Sequence, residues 1–515
     1  PGITLPLTAS FIETAYHGVF KGSVLRLTGD TQIAQSLDEN LRHMVVNYQG
    51  RTYYNLNNWY SVLALFPFHS RIMTIWRKML GVADQDIPPP ALRVSALKKM
   101  RTLARIRRSG ASLPHEMDRL ADDFSHIFDE FYAHDLTTAT NDELVQLYRK
   151  LEHDVLTRWE VTLANDMYAF VYTWLVEKNI PDARTYLSTL ANVESMRPIH
   201  ALLELAELAT QSGEIPALHK LKSDKVVREY LSTDAKFWSS MRDYIANYGD
   251  RYLEELKLES ATYRTNPLLL IHAILEYADG AAALRRKLHA SASARPKTSL
   301  LNKLYLKRAV VGIKNRETSR LNRSRLYGMV REIFLHIANN LHAQGIIDDT
   351  SDIFYLTIDE VLGGDMTHAK KHITERKEQY AAYPAQAPAN RIILEDGKSP
   401  ISSREPTQID TLSGTPVSTG IVEGEVLVVL DPTQVASTKD KILVTRTTDP
   451  GWVFLLAHAK GIISEKGSLL SHTAIIAREL SIPAVVGVPR ATEQLVTGQH
   501  IVLNGDTGTI EVKDV

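Results

Sequence analysis

Apolar side chains recur every three or four positions from about residue 30 to residue 380, which is the period of an amphipathic helix. The clearest run covers residues 141–179, where large apolar side chains from Leu144 to Trp174 fall on one face. Asn141 stands at the start of this run and has the side chain of a helix N-cap. The pattern predicts a long helix over 141–179 within a largely helical region.

The pattern changes near residue 385. Residues 385–412 contain several prolines and small polar residues without a clear period, which is typical of a linker. After the linker, short β-rich runs such as GEVLVVL, GIISE and PAVVGV alternate with helical stretches at 449–458 and 472–480. The sequence therefore predicts a multidomain protein, with a large mainly α-helical domain over 1–384 and a small C-terminal β/α domain over 413–515.

Composition narrows the classes of protein that fit this pattern. The chain has 515 residues, 44% of them hydrophobic, and a formal net charge of -1, so several packed domains are expected and a nucleic-acid partner is not. It contains no cysteine, which excludes disulfides, thiolate nucleophiles and cysteine-based zinc sites, and no metal site is predicted. No apolar run approaches the roughly 20 residues that cross a bilayer, so we expect a cytoplasmic protein without a membrane partner.

One histidine lies where a loop meets a predicted helix, in the segment EKGSLLSHTAIIAREL. Gly467 permits a tight turn, Ser471 is a good N-cap, and His472 is then the first helical residue. Taken alone, such a histidine is more often a capping or surface residue than a nucleophile. However, the N-terminus of a helix favours a bound anion, and neutral imidazole is nucleophilic near pH 7. His472 is therefore a candidate phosphoryl carrier, with Gly467, Ser471, Thr473 and Arg478 as candidate phosphate contacts.

A resemblance over the C-terminal region favours the functional interpretation. The region begins with GTPVSTGIVEGEV, ends with GDTGTIEV, and contains TRTTDPGWVFLLAHAKGIISEKGSLLSHTAIIARELSIPAVVGV between them. It resembles the phosphohistidine swivelling domain of the phosphoenolpyruvate-utilising enzyme family. The resemblance implies that residues 413–515 form that domain, that residues 385–412 are its hinge, and that His472 is phosphorylated in each cycle. Ser468 and Leu470 depart from the glycine and threonine that dikinases of the family carry.

The resemblance also has implications for the rest of the chain. Upstream segments such as GRTYYNLNNWYSVLALFP are similar to the helical acceptor domain of the rifampin phosphotransferase branch, in which an ATP-grasp domain comes first. The chain starts at Pro1 without that domain, so the resemblance implies that ATP and Mg²⁺ bind to an ATP-grasp domain or subunit outside this sequence. The expected activity is phosphotransfer, in which ATP yields AMP and phosphate and His472 passes a phosphoryl group to a small-molecule acceptor.

Two other hypotheses fit the same residues. One is an ATP-dependent ligase or condensing enzyme of natural-product biosynthesis, of the prodigiosin type, which uses the same phosphohistidine relay. The other is a regulatory or binding protein whose swivelling domain has lost its partner. Accumulation of a phosphorylated product would favour phosphotransfer, whereas AMP that forms only with two organic substrates would favour ligation.

The helical domain supplies candidates for the acceptor side. The segment KNRETSRLNRSR places Arg316, Arg320 and Arg323 at helical spacing, where guanidinium groups suit a phosphoryl group or an acidic acceptor. The alternative is a solvated charged face with local ion pairs. Asp352 and Glu360 are candidates for orienting an acceptor or a magnesium ion, with capping as an equal alternative for Asp352. The aromatic residues of TYYNLNNWY are candidates for lining an apolar acceptor pocket, although core packing is their commoner role.

Overall fold

The computed structural model describes residues 2–66, 95–180, 183–278, 298–386, 412–432, 437–448, 452–467 and 471–513, and the single residues 281, 285, 392 and 435. The described ranges up to residue 386 are mainly helical, and those from residue 412 onward contain a β-sheet with short helices. The predicted fold class, a mainly α-helical domain followed by a small β/α domain, is confirmed.

The helical domain also contains a hairpin of strands β1 (Val45–Tyr48) and β2 (Arg51–Tyr54) and 3₁₀ turns at Leu156–Arg158, Thr350–Tyr355 and Tyr383–Ala385. Its helices are α1 (Pro6–Thr28), α2 (Thr31–Ser36), α3 (Asp38–Arg42), α4 (Leu56–Leu63), α5 (Ala96–Ala133), α6 (Asn141–Asp154), α7 (Glu160–Asn179), α8 (Ala183–Gln211), α9 (Ile215–Leu218), α10 (Asp224–Leu231), α11 (Lys236–Tyr248), α12 (Leu268–Tyr277), α13 (Leu300–Ala343), α14 (Ile358–Gly363) and α15 (Ala369–Ala381).

The long helix α13 is the centre of the helical domain and packs on α5, α7 and α8. Ser299 caps its first turn by accepting a hydrogen bond from the backbone N–H of Asn302. Gly312 lets α7 approach closely, because a Cβ atom there would lie 2.8 Å from the Cα atom of Ala169. At the same point the Asn165 amide donates to the Gly312 carbonyl at 3.0 Å. The contact fixes the position of α7 against the arginine-bearing part of α13.

The prediction of one helix over residues 141–179 is wrong. The structure has two helices, α6 and α7, joined by a 3₁₀ turn, and the N-cap is Thr140, which forms a capping box with Glu143. At the break, the Thr157 hydroxyl donates to the His153 carbonyl and so competes for the helical acceptor. The apolar period continues across the turn because Val155 and its neighbours remain buried, which is why periodicity alone does not reveal the break.

The β/α domain is built on one sheet with the strand order β3-β10-β9-β5-β6-β7-β8-β4, in which β5 to β8 run parallel. Its strands are β3 (Leu412–Ser413), β4 (Thr415–Ser418), β5 (Ile421–Val429), β6 (Ile442–Thr445), β7 (Gly461–Ser464), β8 (Ala484–Val486), β9 (His500–Asn504) and β10 (Thr509–Val512), and its helices are α16 (Val453–His458), α17 (His472–Glu479) and α18 (Ala491–Gln494). Because parallel strands end at the same edge, the loops after β6 and β7 lie side by side.

An apolar core crosses the junction between the helical domain and the β/α domain. It includes Leu203 of α8 and Ala477 of α17, both fully buried. At the edge of this junction, His458 Nδ1 lies 3.4 Å from Glu276 Oε1, and the His458 ring packs against Tyr277 with ring centroids 5.0 Å apart. The helix that begins at His472, α17, therefore packs directly on the helical domain.

Candidate functional site

His472 is the first residue of α17, as the sequence predicted. Ser471 is the N-cap, with an extended backbone and a hydroxyl that accepts a hydrogen bond from the N–H of Ala474 at 3.4 Å. Gly467 has a φ of 148°, and a Cβ atom there would lie 3.0 Å from Ser471 Oγ. Only glycine fits this close approach, so Gly467 sets the path by which the chain enters the helix.

Thr473 and Thr448 join the two loops that lie beside each other at the carboxyl edge of the sheet. Their hydroxyls are 2.7 Å apart, and Thr473 is 2% exposed. The Thr473 side chain is therefore committed to the loop after β6, which leaves its backbone N–H as the group that could bind an anion at the helix N-terminus. Thr448 was not among the sequence candidates, because threonine in a loop after a strand has no distinctive spacing.

Arg478 is placed differently from the prediction. It lies in the last turn of α17, six residues after His472 and about 9 Å along the helix axis. Its Nε atom donates to the Val417 carbonyl at 2.7 Å. Since this guanidinium group is at the opposite end of the helix from Ser471, its contact supports helix packing rather than phosphate binding.

The three candidate arginines of α13 lie on one side of the helix, facing Asp166 of α7. Arg316 Nε is 3.5 Å from Asp166 Oδ1, and the charges of Arg316, Arg320 and Arg323 all act on this carboxyl. Burial raises the pKa of Asp166, and the three arginines oppose that rise. Arg320 also contacts Glu317 at 3.0 Å, so the alternative of a local ion pair holds for this residue.

These charged groups border a space inside the helical domain. Asp166 is surrounded by protein on nearly every side, and yet its side chain is 47% accessible to solvent and that of Arg316 is 40% accessible. The two observations together indicate a solvent-accessible space between α7 and α13 that these side chains line. We call this space the arginine-lined cavity and define it by Tyr16, Asp166, Arg316, Arg320 and Arg323.

Aromatic side chains lie next to the arginines. Tyr16 is within reach of the charge of Arg323, and its hydroxyl is 2.8 Å from that of Tyr54. The Tyr54 ring is 54% exposed and meets Trp59 edge to face at 6.0 Å. By contrast, Tyr60 is 1% exposed and belongs to the core. The TYYNLNNWY segment thus contains both exposed and core aromatic side chains, and the pocket-lining role of the exposed ones stays a prediction.

The surroundings of Arg323 also favour a binding site at the arginine-lined cavity. Its Nε atom is buried and has no hydrogen-bond partner among the described residues. An unpaired buried guanidinium nitrogen is costly unless an anion or another acceptor is supplied from outside. Tyr16 and Asp166 were missed by sequence reasoning. A tyrosine and an aspartate at ordinary helical positions carry no signal of the arginines that face them.

Asp352 and Glu360 have structural roles, which corrects their assignment as acceptor or magnesium ligands. Asp352 is 1% exposed, forms a capping box with Asp349, and pairs with Lys377. Glu360 caps α14 and binds both terminal nitrogens of Arg376, at 2.7 and 2.9 Å. Burial alone would raise the pKa of Glu360, but the hydrogen bonds from Arg376 and Thr357 lower this pKa to about 2. Both carboxylates are already paired.

Several predictions fall on residues outside the described part of the chain. They include the start of the helical stretch predicted at 449–458, Ser468 and Leu470, and nearly all of the predicted linker over 385–412. Within the described ranges, none of the helices has the length and apolar character needed to cross a membrane. The same residues form no group of three or more His, Cys, Asp or Glu side chains suited to a metal ion.

Comparisons with known proteins bear on both parts of the site. A family model described as the mobile domain of PEP-utilising enzymes matches residues 437–508, which include His472. A second model, described as the fourth domain of rifampicin phosphotransferase, matches residues 158–332. The second match contains Asp166 and all three arginines of the cavity.

Relatives match over most of the chain. The rifampicin phosphotransferase of Bacillus subtilis (strain 168) is 30% identical over 365 residues, which cover 66% of this chain and 42% of the relative. That of Streptomyces sviceus is 29% identical over 369 residues, with the same shares covered. A prodigiosin synthesizing transferase, PigC of Serratia marcescens, is 26% identical over 357 residues, covering 63% of this chain and 40% of the relative. The chain spans less than half the length of these relatives.

The mobile-domain match, the fourth-domain match and the relatives agree with a helical domain followed by a small β/α domain. The chain belongs to the phosphoenolpyruvate-utilising enzyme family, with a helical domain of the rifampicin phosphotransferase kind followed by the mobile domain.

Proposed function

We propose that this chain is the carrier and acceptor portion of a phosphotransferase. His472 receives a phosphoryl group that originates from ATP and passes it to a small molecule held in the arginine-lined cavity. An ATP-grasp domain or subunit binds ATP and Mg²⁺ and loads the histidine, with AMP and phosphate as the other products. Residues 385–412 act as the hinge between the two sites.

The observation that carries the proposal is the position of His472 at a capped helix start in a mobile domain. The free N–H groups of the first turn of α17, together with the helix dipole, stabilise the negative charge of a phosphorylated imidazole. Gly467 shapes the loop beside it, and the Thr448–Thr473 contact fixes the first turn. A carrier needs such a preformed anion site because phosphoryl transfer depends chiefly on positioning and charge stabilisation.

The arginine-lined cavity supplies what the second transfer needs. An acceptor hydroxyl attacks the phosphorus atom, the new O–P bond forms, and the P–N bond to the imidazole of His472 breaks. Arg316 and Arg323 stabilise the charge on the phosphoryl oxygens. Asp166, whose pKa is raised by burial, is placed to take the proton of the hydroxyl. Tyr16 and Tyr54 provide aromatic surface for the organic part of the acceptor.

Phosphate incorporation tests the carrier role. The unsubstituted chain and His472→Ala are each incubated with an ATP-grasp partner of the same family, Mg²⁺ and ATP labelled at the β-phosphorus. We expect an acid-labile, alkali-stable label on the unsubstituted chain only. If neither chain is labelled while the partner hydrolyses ATP, the histidine is not a carrier and the proposal fails.

A second candidate function is ligation, which the similarity to the prodigiosin synthesizing transferase favours. In that case phosphoryl transfer from His472 activates one organic substrate for attack by another, and the phosphorylated species does not accumulate. The two functions differ in a single measurement. A stable phosphorylated product with one acceptor supports the phosphotransferase, whereas AMP formation that requires two organic substrates supports the ligase.

A further inference from the structure

A polar cleft of about 540 Å³ opens between α1, the β1–β2 turn and α15. Its volume falls in the range of about 300–1,000 Å³ that is usual for small-molecule sites. Glu13 of α1, Asn47 and Gln49 of the hairpin, and Gln379 and Tyr380 of α15 line it. None of its lining residues is among the five that define the arginine-lined cavity.

The unbalanced charge among the lining side chains of this cleft is negative. Arg376 also lines it, but both of its terminal nitrogens are bonded to Glu360, so its charge is already balanced. Glu13 has no comparable partner among the described residues. Burial raises the pKa of its carboxyl, opposed by the charge of His43 and by a hydrogen bond from the Asn47 backbone. His43 is exposed and contacts another carboxylate. An anionic ligand would meet repulsion in the cleft, whereas a cation would compensate the desolvation of Glu13.

The remaining lining groups favour a ligand that carries oxygen atoms in addition to a cationic group. Asn47 Nδ2 is buried and has no hydrogen-bond partner in the described part of the chain. A ligand oxygen that accepts from it would satisfy a donor that is costly to leave unpaired. Tyr380 and Tyr383 meet edge to face, with centroids 4.9 Å apart, and offer aromatic surface to C–H and ammonium groups. Burial raises the pKa of Tyr380 to about 12, so its phenol stays neutral.

We propose that this cleft binds a small organic amine whose skeleton carries hydroxyl or carbonyl oxygens, as in an amino sugar. The ammonium group lies against the Glu13 carboxylate, a ligand oxygen accepts from Asn47 Nδ2, and the skeleton rests on Tyr380 and Tyr383. The site does not depend on the proposed phosphotransfer.

Saturation-transfer NMR near neutral pH tests this with three sugars that differ mainly in charge. Glucosamine carries the ammonium group, N-acetylglucosamine is neutral on a similar ring, and glucose 6-phosphate is anionic. We expect glucosamine to bind at millimolar concentration, N-acetylglucosamine to bind about 10–100-fold more weakly, and glucose 6-phosphate to show no transfer. Equal binding of the three sugars, or no transfer to glucosamine, overturns the proposal.

Two variants measure separately how much the Glu13 charge and the Asn47 amide contribute to binding. Glu13→Gln keeps the size of the side chain and is expected to weaken glucosamine binding about 10–100-fold while leaving N-acetylglucosamine unchanged. Asn47→Ala is expected to weaken both sugars about 5–10-fold, because it removes the amide donor. Glu39→Gln, at a carboxylate that is 81% exposed, is the matched control and should change neither. Melting temperatures of the variants establish that the fold is kept. If Glu13→Gln binds glucosamine normally, the proposal is wrong.

Discussion

The two halves of the candidate phosphotransfer site are constructed in opposite ways. Most of the histidine half lies within residues 467–473, which include Gly467, the N-cap Ser471 and the start of α17, and the loop after β6 adds Thr448. The acceptor half brings together Tyr16 of α1, Asp166 of α7 and Arg323 of α13, which are far apart in the sequence. A local motif can be recognised from neighbouring residues, whereas a cavity exists only after helices from the whole domain have packed.

The comparison also separates two functions. Under the proposed function, loading of the histidine depends on the helix start and its loop, and delivery of the phosphoryl group depends on the cavity. If this division is correct, a substitution in one half should leave the reaction of the other half intact. Substitutions in the cavity and at the helix start test that independence, and a substitution at the junction tests the contact between the domains.

The largest effect is expected from the cavity. Arg323→Gln removes the charge of a guanidinium group whose Nε is buried and has no partner in the described structure. We expect transfer to the acceptor to slow about 100–1,000-fold, as when a transition-state donor is removed, with phosphohistidine formation unchanged. Single-turnover assays that begin with the phosphorylated chain measure the transfer step.

Arg308→Gln is the control for Arg323→Gln. Arg308 lies on the same helix, bonds the hydroxyl of Tyr172, and is not part of the cavity. It should leave transfer within a few-fold of the unsubstituted chain. A fall in histidine labelling in Arg323→Gln would show that the two halves are not independent.

The next largest effect is expected at Gly467, in the histidine half. An alanine there would hold a φ of 148°, with its Cβ atom 3.0 Å from Ser471 Oγ and 3.1 Å from Val486 Cβ. We expect Gly467→Ala to lower the free energy of unfolding by about 1–3 kcal/mol and to reduce histidine labelling, because the loop must shift. Chemical denaturation and the labelling assay measure the two effects.

Gly498→Ala controls for backbone strain alone. Its φ is 94°, but a Cβ atom there meets nothing within 4 Å. It should lower stability without changing histidine labelling. Normal labelling in Gly467→Ala would mean that the loop before α17 does not shape the phosphate site.

Local signals made much of the fold predictable. The prolines near residue 385 mark the end of the helical region, and Ser471 marks the start of α17, because Pro and N-cap residues act on their own neighbours. The break between α6 and α7 was not predictable from the period of apolar residues. A 3₁₀ turn at Leu156–Arg158 redirects the chain while keeping the apolar face inward, so the period gives no warning.

The candidate site was predictable only in part, for the same reason. His472 and its loop are neighbours in the sequence. Asp166, by contrast, comes to face Arg316 only when α7 packs against α13. The assignment of Asp352 and Glu360 was avoidable. Each follows a cap residue by three positions, and this is the spacing of a capping box.

The junction between the two domains provides a third test. Burial raises the pKa of Glu276 to about 7, next to His458 of the β/α domain. A carboxyl whose folded pKa exceeds its unfolded value binds more protons when folded, so its contribution to stability is lost as pH rises from about 4.5 to about 7. Glu276→Gln removes this loss, and we expect it to raise the free energy of unfolding by about 1–3 kcal/mol above pH 7, with little change below pH 5. Denaturation at several pH values measures the difference. An equal shift at both extremes would exclude titration as its cause.

The smallest effect is expected from the caps, and it gives the most direct comparison of the two regions. Ser471→Ala removes the cap of α17, and Thr140→Ala removes the cap of α6 in the helical domain. Each should lower the free energy of unfolding by about 1 kcal/mol, because each leaves a first-turn N–H group without its acceptor. Only Ser471→Ala should also reduce histidine labelling, since the proposed function places the phosphoryl group at the N–H groups of α17 and not at those of α6. If both variants label normally, the cap serves the fold alone, and the anion site must be formed by the backbone without help from the Ser471 hydroxyl.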